Sequence, residues 1–366
     1  MLRFEMLPAE HGDCLLVEYG EGATPRHRVL FDAGPETAYP AIRRRLLRLP
    51  ATGTPRRRKI DLLVVTHVDG DHIEGVVKLL QDEEVGIAPA DVWFNDWNHL
   101  AGLGERKVPE RLGPEQGEFL GALLDEKGIA WNGAFGGDRV MVPPEEDEPL
   151  PRWCGPGGLV LTVLSPTLRT LVVLRRKWKK AIEAAGFRPG GRQDALAQFA
   201  ERRWARAPSP PRLGDEGRRS TLDSSEANGS SIAVLAEFGG RSLLLSGDAF
   251  PDVLRASIER LARQRGLPSD EPFAVDVFKL AHHGSTRNMT PQLMDAVAAS
   301  AYAVSSSGAR FRHPDREALD LVVGGHRGAG EPTLLFNYAS RFTEVWRDRP
   351  GVTARYGEDA MVELET

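Results

Sequence analysis

The stretch Ile60-Asp61-Leu62-Leu63-Val64-Val65-Thr66-His67-Val68-Asp69-Gly70-Asp71-His72-Ile73 decides how the rest of the chain is read. Residues 60–65 are a nearly continuous apolar run, the pattern of a strand buried on both faces of a sheet. Directly after it, two imidazoles and two carboxylates fall within the six residues from His67 to His72. Residues 73–81 then carry apolar side chains at helical spacing, so the polar cluster occupies a strand-to-helix turn. That is where α/β proteins place their chemistry. Carboxylates crowded at such a turn repel one another and desolvate badly, and a divalent cation removes that conflict.

Outward from this turn, the same chemistry recurs at other strand ends. Residues 15–19 and 28–31 read as a hairpin around a turn-rich 20–25, closed by Asp32-Ala33-Gly34, and a basic helix follows at 41–49. Residues 90–95 read as a strand, 115–127 as a helix and 159–164 as a strand. Further on, strands 232–238 and 242–245 flank Gly239-Gly240, and the second ends at Ser246-Gly247-Asp248. Helix 251–264 precedes strand 275–280, which runs into Ala281-His282-His283-Gly284-Ser285. Thr290-Pro291 opens a helix through about residue 300, and strand 302–305 and helix 315–323 complete a second half built like the first. Three separate strand ends thus carry metal-ligand residue types, and small residues beside them let backbone and ligand approach closely.

The 366 residues have ordinary globular composition, 41% hydrophobic and 27% charged, which excludes disorder throughout and supplies a sizeable core. The start, Met1-Leu2-Arg3-Phe4-Glu5-Met6, is charged at once and does not read as a signal peptide. No apolar run approaches the roughly 18 residues of a membrane span, so the expectation is a cytoplasmic protein with no membrane partner. Cys14 and Cys154 lie in no zinc-finger spacing and are expected as buried thiols. The net charge of −5 is unevenly spread: residues 168–219 hold 14 Lys and Arg against 5 Asp and Glu, leaving −14 for the remainder. We read 1–366 as one domain carrying a basic, partly mobile insertion at 168–227.

On these residues the chain resembles the metallo-β-lactamase superfamily, whose hallmark turn is HxHxDH. Here it reads His67-Val68-Asp69-Gly70-Asp71-His72, with aspartate in place of the second histidine. That variant, with Gly12-Asp13, Phe31-Asp32-Ala33-Gly34, Asn228-Gly229-Ser230-Ser231, Leu245-Ser246-Gly247-Asp248 and His282-His283-Gly284-Ser285, is similar to the hydrolase domain of ComEC-type competence proteins. The resemblance implies an α/β fold of the αββα sandwich type, two mixed β-sheets flanked by helices. It implies one or two divalent ions: His67 and Asp69 on one, Asp71, His72 and His283 on a second, and Asp248 bridging. Asp32 is expected to support the turn. His282 is an alternative to His283, because adjacent strand residues point to opposite faces. The superfamily's further histidine ligand has no clear counterpart, and His99 is the only histidine in the interval. Carboxylate in place of imidazole hardens the site, so Mn²⁺ or Mg²⁺ competes better with Zn²⁺.

A divalent ion supplies hydroxide at neutral pH and clamps attacking and leaving oxygens, which leads to a metal-dependent hydrolase, a phosphodiesterase or nuclease, with Asp71 and His313 as catalytic groups. His313, in Phe311-Arg312-His313-Pro314, is a candidate to protonate the leaving oxygen or bind phosphate. Asn228, Ser230 and Ser285 are candidates for substrate oxygens. In the insertion, Arg175, Arg176 and Lys177 are candidates for a nucleic-acid backbone, with Trp178 or Trp204 stacking on bases; the alternative is a solvated helix face with core tryptophans. Two other functions fit the sequence: hydrolysis of a small phosphodiester or ester, since phosphorylcholine esterases share the HxDxDH variant, and a non-catalytic binding module with an incomplete metal site. Oligomeric state is not legible.

Overall fold

The predicted hairpin and the strand that leads into the hallmark turn lie side by side in one sheet. A computed structural model describes residues 1–22, 24–100, 103, 114–184, 189–191, 223 and 225–366. In chain order the first half runs β1 (Leu2–Met6), β2 (Leu15–Tyr19), β3 (His27–Phe31), α1 (Tyr39–Leu46), β4 (Arg58–Ile60), β5 (Leu62–Val64), α2 (Gly70–Gln81), β6 (Ile87–Pro89), β7 (Val92–Trp93) and α3 (Pro114–Glu126). The second half runs β8 (Arg152–Cys154), β9 (Val160–Ser165), α4 (Leu168–Ala184), β10 (Ala233–Phe238), β11 (Arg241–Leu245), α5 (Pro251–Gln264), β12 (Phe273–Lys279), α6 (Pro291–Ala296), β13 (Val297–Val304), α7 (Arg316–Gly324), β14 (Thr333–Phe336), β15 (Thr353–Tyr356) and β16 (Val362–Leu364).

Among the described residues these strands form a six-stranded sheet, β16-β1-β2-β3-β5-β7, an eight-stranded sheet, β15-β14-β13-β12-β11-β10-β9-β8, and the small pair β4-β6. Both large sheets are mixed. β1, β2 and β3 pair antiparallel, then β3, β5 and β7 run parallel; β8 to β11 pair antiparallel, then β11 to β15 run parallel.

Strand periodicity explains how the sheets stack. Val29 and Phe31 of β3 and Leu62 and Val64 of β5 face one core, shared with Leu161, Val163, Leu243 and Val277 of the other sheet. The alternate residues Leu30 and Leu63 face a second core, with Ile42 of α1, Ile73, Val76 and Val77 of α2 and Leu120 of α3. Apolar residues on both faces are what the continuous run at 60–65 anticipated. The run divides at Asp61, whose carboxylate accepts the Arg28 N–H at 2.8 Å and lies 3.3 Å from the His27 ring. Helices α5, α6 and α7 cover the other face of the second sheet through Leu254, Ile258, Leu293, Leu319 and Val322. The layers are therefore helix, sheet, sheet, helix.

Two expectations change, and the alternative left open for Trp178 is decided. The helix expected to reach residue 300 stops at Ala296, because Val297 to Ala303 pair in parallel with β12 and this sheet pairing overrides the helical propensity of an alanine-rich run. Cys154 is exposed at the end of β8, unlike the buried Cys14. Trp178 is fully buried against Phe94, with its indole N–H donating to Glu118 at 3.0 Å, so α4 is an amphipathic core helix and that tryptophan is no stacking platform. Trp204, and most of the insertion beyond α4, lie outside the described residues. Among the described residues, no helix is long and apolar enough to cross a membrane.

Candidate metal centre

Every residue of the candidate cluster stands at the C-terminal end of a strand, which is why the two sheets can deliver them to one place. Asp32 follows β3, the 67–72 turn follows β5, Asp248 follows β11, and His282 and His283 follow β12. The turn is braced by Asp32, held at φ 54°, whose carboxylate accepts the Thr66 N–H at 2.8 Å and the Thr66 hydroxyl at 2.7 Å. The same carboxylate lies 2.8 Å from Nδ1 of His72. The Asp32 carboxylate thus touches both the turn and one imidazole.

Helix α2 starts earlier than its apolar spacing shows, at Gly70, so Asp71 and His72 sit in its first turn. Two glycines let it come this close. A Cβ at Gly12 would lie 1.7 Å from the Asp71 carbonyl oxygen, and one at Gly75 would lie 1.8 Å from that of Ala33. Neither position has room for a side chain.

Four imidazoles converge on Asp248. Nε2 of His67, His72, His282 and His283 lie 4.0, 3.6, 3.9 and 3.9 Å from its Oδ2. Each ring is fixed through Nδ1: His67 by the Thr66 hydroxyl at 3.0 Å and Ser231 at 3.3 Å, His72 by Asp32, His282 by Asn288 Oδ1 at 2.9 Å, and His283 by the Ser305 carbonyl at 2.8 Å. Such outer contacts set the tautomer and aim the other nitrogen. Nε2 of His67, His72 and His283, with Oδ1 of Asp69 and of Asp248, are buried and have no hydrogen-bond partner among the described residues. Buried polar atoms left unpaired are costly. A cation bound at about 2.0–2.2 Å from nitrogen and oxygen would satisfy them, and ligands sharing such an ion stand about as far apart as these do.

The pair His282-His283 escapes the alternation of a strand. Both residues have positive φ, 48° and 56°, so the chain curls immediately after β12 and both rings face Asp248. Left-handed backbone at consecutive non-glycine residues is strained and marks functional sites. Six described non-glycine residues have positive φ, and Glu10, Asp32, His282, His283 and Arg312 lie in the cluster or in loops bordering it, leaving only Asn132 elsewhere. His282 acts electrostatically on His67 and Asp69, while His283 Nε2 is 3.7 Å from Asp71. The two therefore serve opposite ends of the cluster.

The side chains of the cluster shift one another's proton affinities strongly. Burial works against the imidazolium of His72, but Asp248 and Asp32 outweigh it and hold its pKa well above the usual value. Asp248 and Asp223 raise His282 to about 9 against the same penalty. Burial and the neighbouring His72 depress His67 to about 3. Burial and repulsion from Asp71 raise Asp69 to about 7. Burial would also raise Asp248, but His72, His282 and His283 keep it well below the carboxylate range. Such opposed shifts in one buried cluster mark a candidate functional site.

The remaining candidates fall in different places. His99 is not in this ring of imidazoles: its Nδ1 lies 2.6 Å from Asp96 and its ring packs edge-on against Trp131. His313 is at the cluster's edge, its ring 5.6 Å from His282 and its Nδ1 3.1 Å from Asp315. Asn228 donates to Asp223 at 2.7 Å and lies 3.3 Å from the His282 ring. The Ser230 hydroxyl donates to the Ala227 carbonyl at 2.6 Å, and that of Ser285 accepts the Arg287 N–H at 3.3 Å, both within their own turns. Arg175 donates to the Leu103 carbonyl and lies over Trp97, Lys177 pairs with Glu226, and Arg176 is half-buried on the same helix.

Sequence reasoning passed over several supporting groups. Asp13 and Lys279 form a buried ion pair, and Asp13 lies 3.4 Å from Nδ1 of His283. Ser231, beside the Ser230 singled out, receives the Asp248 N–H at 3.0 Å. Asn288 and Asp223 orient His282. Gly12-Asp13 was visible as a motif, but only the fold brings it to His283.

Residues 27–111, which include the hallmark turn, match the profile of a beta-lactamase superfamily domain. No curated protein matches the chain. Among solved structures, human tRNase Z, short form, is 11% identical with a TM-score of 0.41, covering 100% of this chain and 99% of that one. CmlA, a diiron beta-hydroxylase from Streptomyces venezuelae, is 14% identical with a TM-score of 0.40, covering 100% of this chain and 54% of that one. The domain match and the layered, mixed sheets together give the chain the metallo-β-lactamase fold.

Proposed function

We propose that this chain is a metal-dependent phosphodiesterase that acts on nucleic acid. The observation that supports it most directly is the convergence of four anchored imidazoles on Asp248, flanked by Asp69 and Asp71. His67, Asp69 and His282 would hold one divalent ion, Asp71, His72 and His283 another, with Asp248 between them. His282 then stands in for the histidine ligand that the sequence seemed to lack. When bound, such ions lower the pKa of water and polarise a phosphoryl oxygen. The three carboxylates make the donor set hard, which suits Mn²⁺ or Mg²⁺ beside Zn²⁺ and phosphoryl oxygens as substrate.

The chain's own residues supply the rest. Burial lowers the pKa of His313 despite the nearby Asp315, which favours the neutral imidazole. With Nδ1–H donated to Asp315, its Nε2 is a proton acceptor, which fits it to take a proton at the site better than to give one. Asp315 is fixed in turn by the Thr286 N–H at 2.9 Å and hydroxyl at 3.0 Å. The hydroxyls of Ser230 and Ser285 are engaged with backbone, consistent with direct attack by water.

The test is a panel of single- and double-stranded DNA, RNA and bis-p-nitrophenyl phosphate with Mn²⁺, Mg²⁺ or Zn²⁺. Metal-dependent cleavage of polymers, reduced at least about 100-fold by Asp71→Ala, is expected. Cleavage of the small ester alone would replace nucleic acid with a small phosphodiester, and absence of hydrolysis in protein shown to bind metal would sink the reading.

A further inference from the structure

Phe311 lies in the loop after β13 and is 44% exposed, the only aromatic among the exposed large hydrophobics of the described residues. Its ring stands 5.5 Å from that of His11 and 6.4 Å from that of His313. His11 precedes Gly12, whose backbone is pressed against Asp71, and His313 is the neighbour of His282. The phenyl ring therefore spans the rim from the Asp71 end of the cluster to the His282 end. Two arginines flank it. The Arg310 guanidinium lies over the ring at 5.2 Å and reaches His11 Nε2 at 3.2 Å. Arg312 is exposed, with its backbone in the left-handed region at φ 63°. Among the described residues, neither arginine has a carboxylate partner at ion-pair distance.

We infer that Arg310, Phe311 and Arg312 form a receiving edge for single-stranded nucleic acid, in which a base beside the scissile phosphodiester stacks on Phe311 and the guanidiniums take the flanking phosphates. The inference rests on the phosphodiesterase reading above. Aromatic rings interleaved with cations are how proteins hold single strands without reading sequence, and a guanidinium matches a phosphate better than an ammonium does. A duplex hides its base faces in the stack, so it cannot use Phe311 this way. A small ester without a ring would leave the phenyl face with nothing to cover it.

The experiment measures binding, so it does not depend on turnover. Metal-loaded full-length protein is titrated with phosphorothioate oligothymidylate, which resists cleavage, and with an abasic oligomer of the same length and linkage. The wild-type protein should prefer the base-bearing strand about tenfold. Phe311→Ala should abolish that preference, Phe311→Trp should keep it, and Arg312→Ala should weaken both ligands together. Equal binding of the two strands by the wild-type protein, a preference surviving in Phe311→Ala, or equal affinity for a duplex of the same sequence would overturn the inference. Failure of the phosphodiesterase reading would show separately, as absence of hydrolysis in the substrate panel.

Discussion

Lys279 and Asp13 form an ion pair with both side chains sealed from solvent, and Asp13 also lies 3.4 Å from the anchoring nitrogen of His283. Lys279 stands at the end of β12, three residues before the histidine pair, and Asp13 comes from the loop before β2. The pair ties the second sheet to the first beside the candidate metal site. Lys279→Met alone would strand a buried carboxylate and should cost roughly 3–5 kcal/mol in urea unfolding. The double variant Asp13→Leu/Lys279→Met should recover much of that stability. It should still bind the second metal about 10–100-fold more weakly, because His283 has lost a partner. Titration with a competing chelator would reveal unchanged affinity, the result that counts against this role.

The metal count follows from which rings reach Asp248. Wild-type protein equilibrated in metal buffer should carry two ions, read by elemental analysis. His282→Ala and His283→Ala should each lower the count toward one, and Asp248→Ala should lower it further. His99→Ala should leave it at two, since that ring is held by Asp96 and Trp131.

Close approach of α2 to the hairpin exit depends on Gly75, where a Cβ would meet the Ala33 carbonyl oxygen at 1.8 Å. Backbone cannot yield as a flexible side chain does, so Gly75→Ala should destabilise by about 3 kcal/mol or more. It should also reduce metal content, because Asp71 and His72 ride on the same helix. A variant with full metal content and normal melting would contradict the packing described.

Trp178 carries α4 into the core. Trp178→Ala should cost roughly 3–5 kcal/mol, measured by chemical denaturation. Trp178→Phe should cost less, leaving Glu118 without the indole donor.

Asp82 gives a pH signature away from the candidate metal site. Burial would raise its carboxyl, but bonds from the Val85 N–H, Arg43 and Tyr39 prevail and lower it from the usual 3.8. A depressed folded pKa contributes stability that is present above the unfolded value and is lost as pH falls through the folded one. Asp82→Asn should therefore lower the melting temperature at pH 7, and the gap from wild type should close on acidification below the usual carboxylate range. A gap independent of pH would assign the loss to packing.

The sequence by itself determined the layered α/β class, most strand ends and the metal-ligand residue types, because these are written locally. A two-faced apolar run, a turn dense in imidazole and carboxylate, and helical spacing in 73–81 need no distant partner to be read. β1 could have been read too, since Leu2, Phe4 and Met6 alternate with Arg3 and Glu5, but its pairing with β16 spans nearly the whole chain. Only the tertiary structure decided the rest. It curled His282 and His283 so that both face Asp248, where strand alternation alone would have divided them. It buried Trp178, whose neighbouring lysines and arginines left a nucleic-acid platform and a core residue both open, because an amphipathic helix has a charged face and a core face. It joined Asp13 to Lys279 and set Phe311 on the rim of the site, contacts between segments some 270 to 300 residues apart, and chain closure over such distances is set by the packing of the whole fold and leaves no local pattern to read.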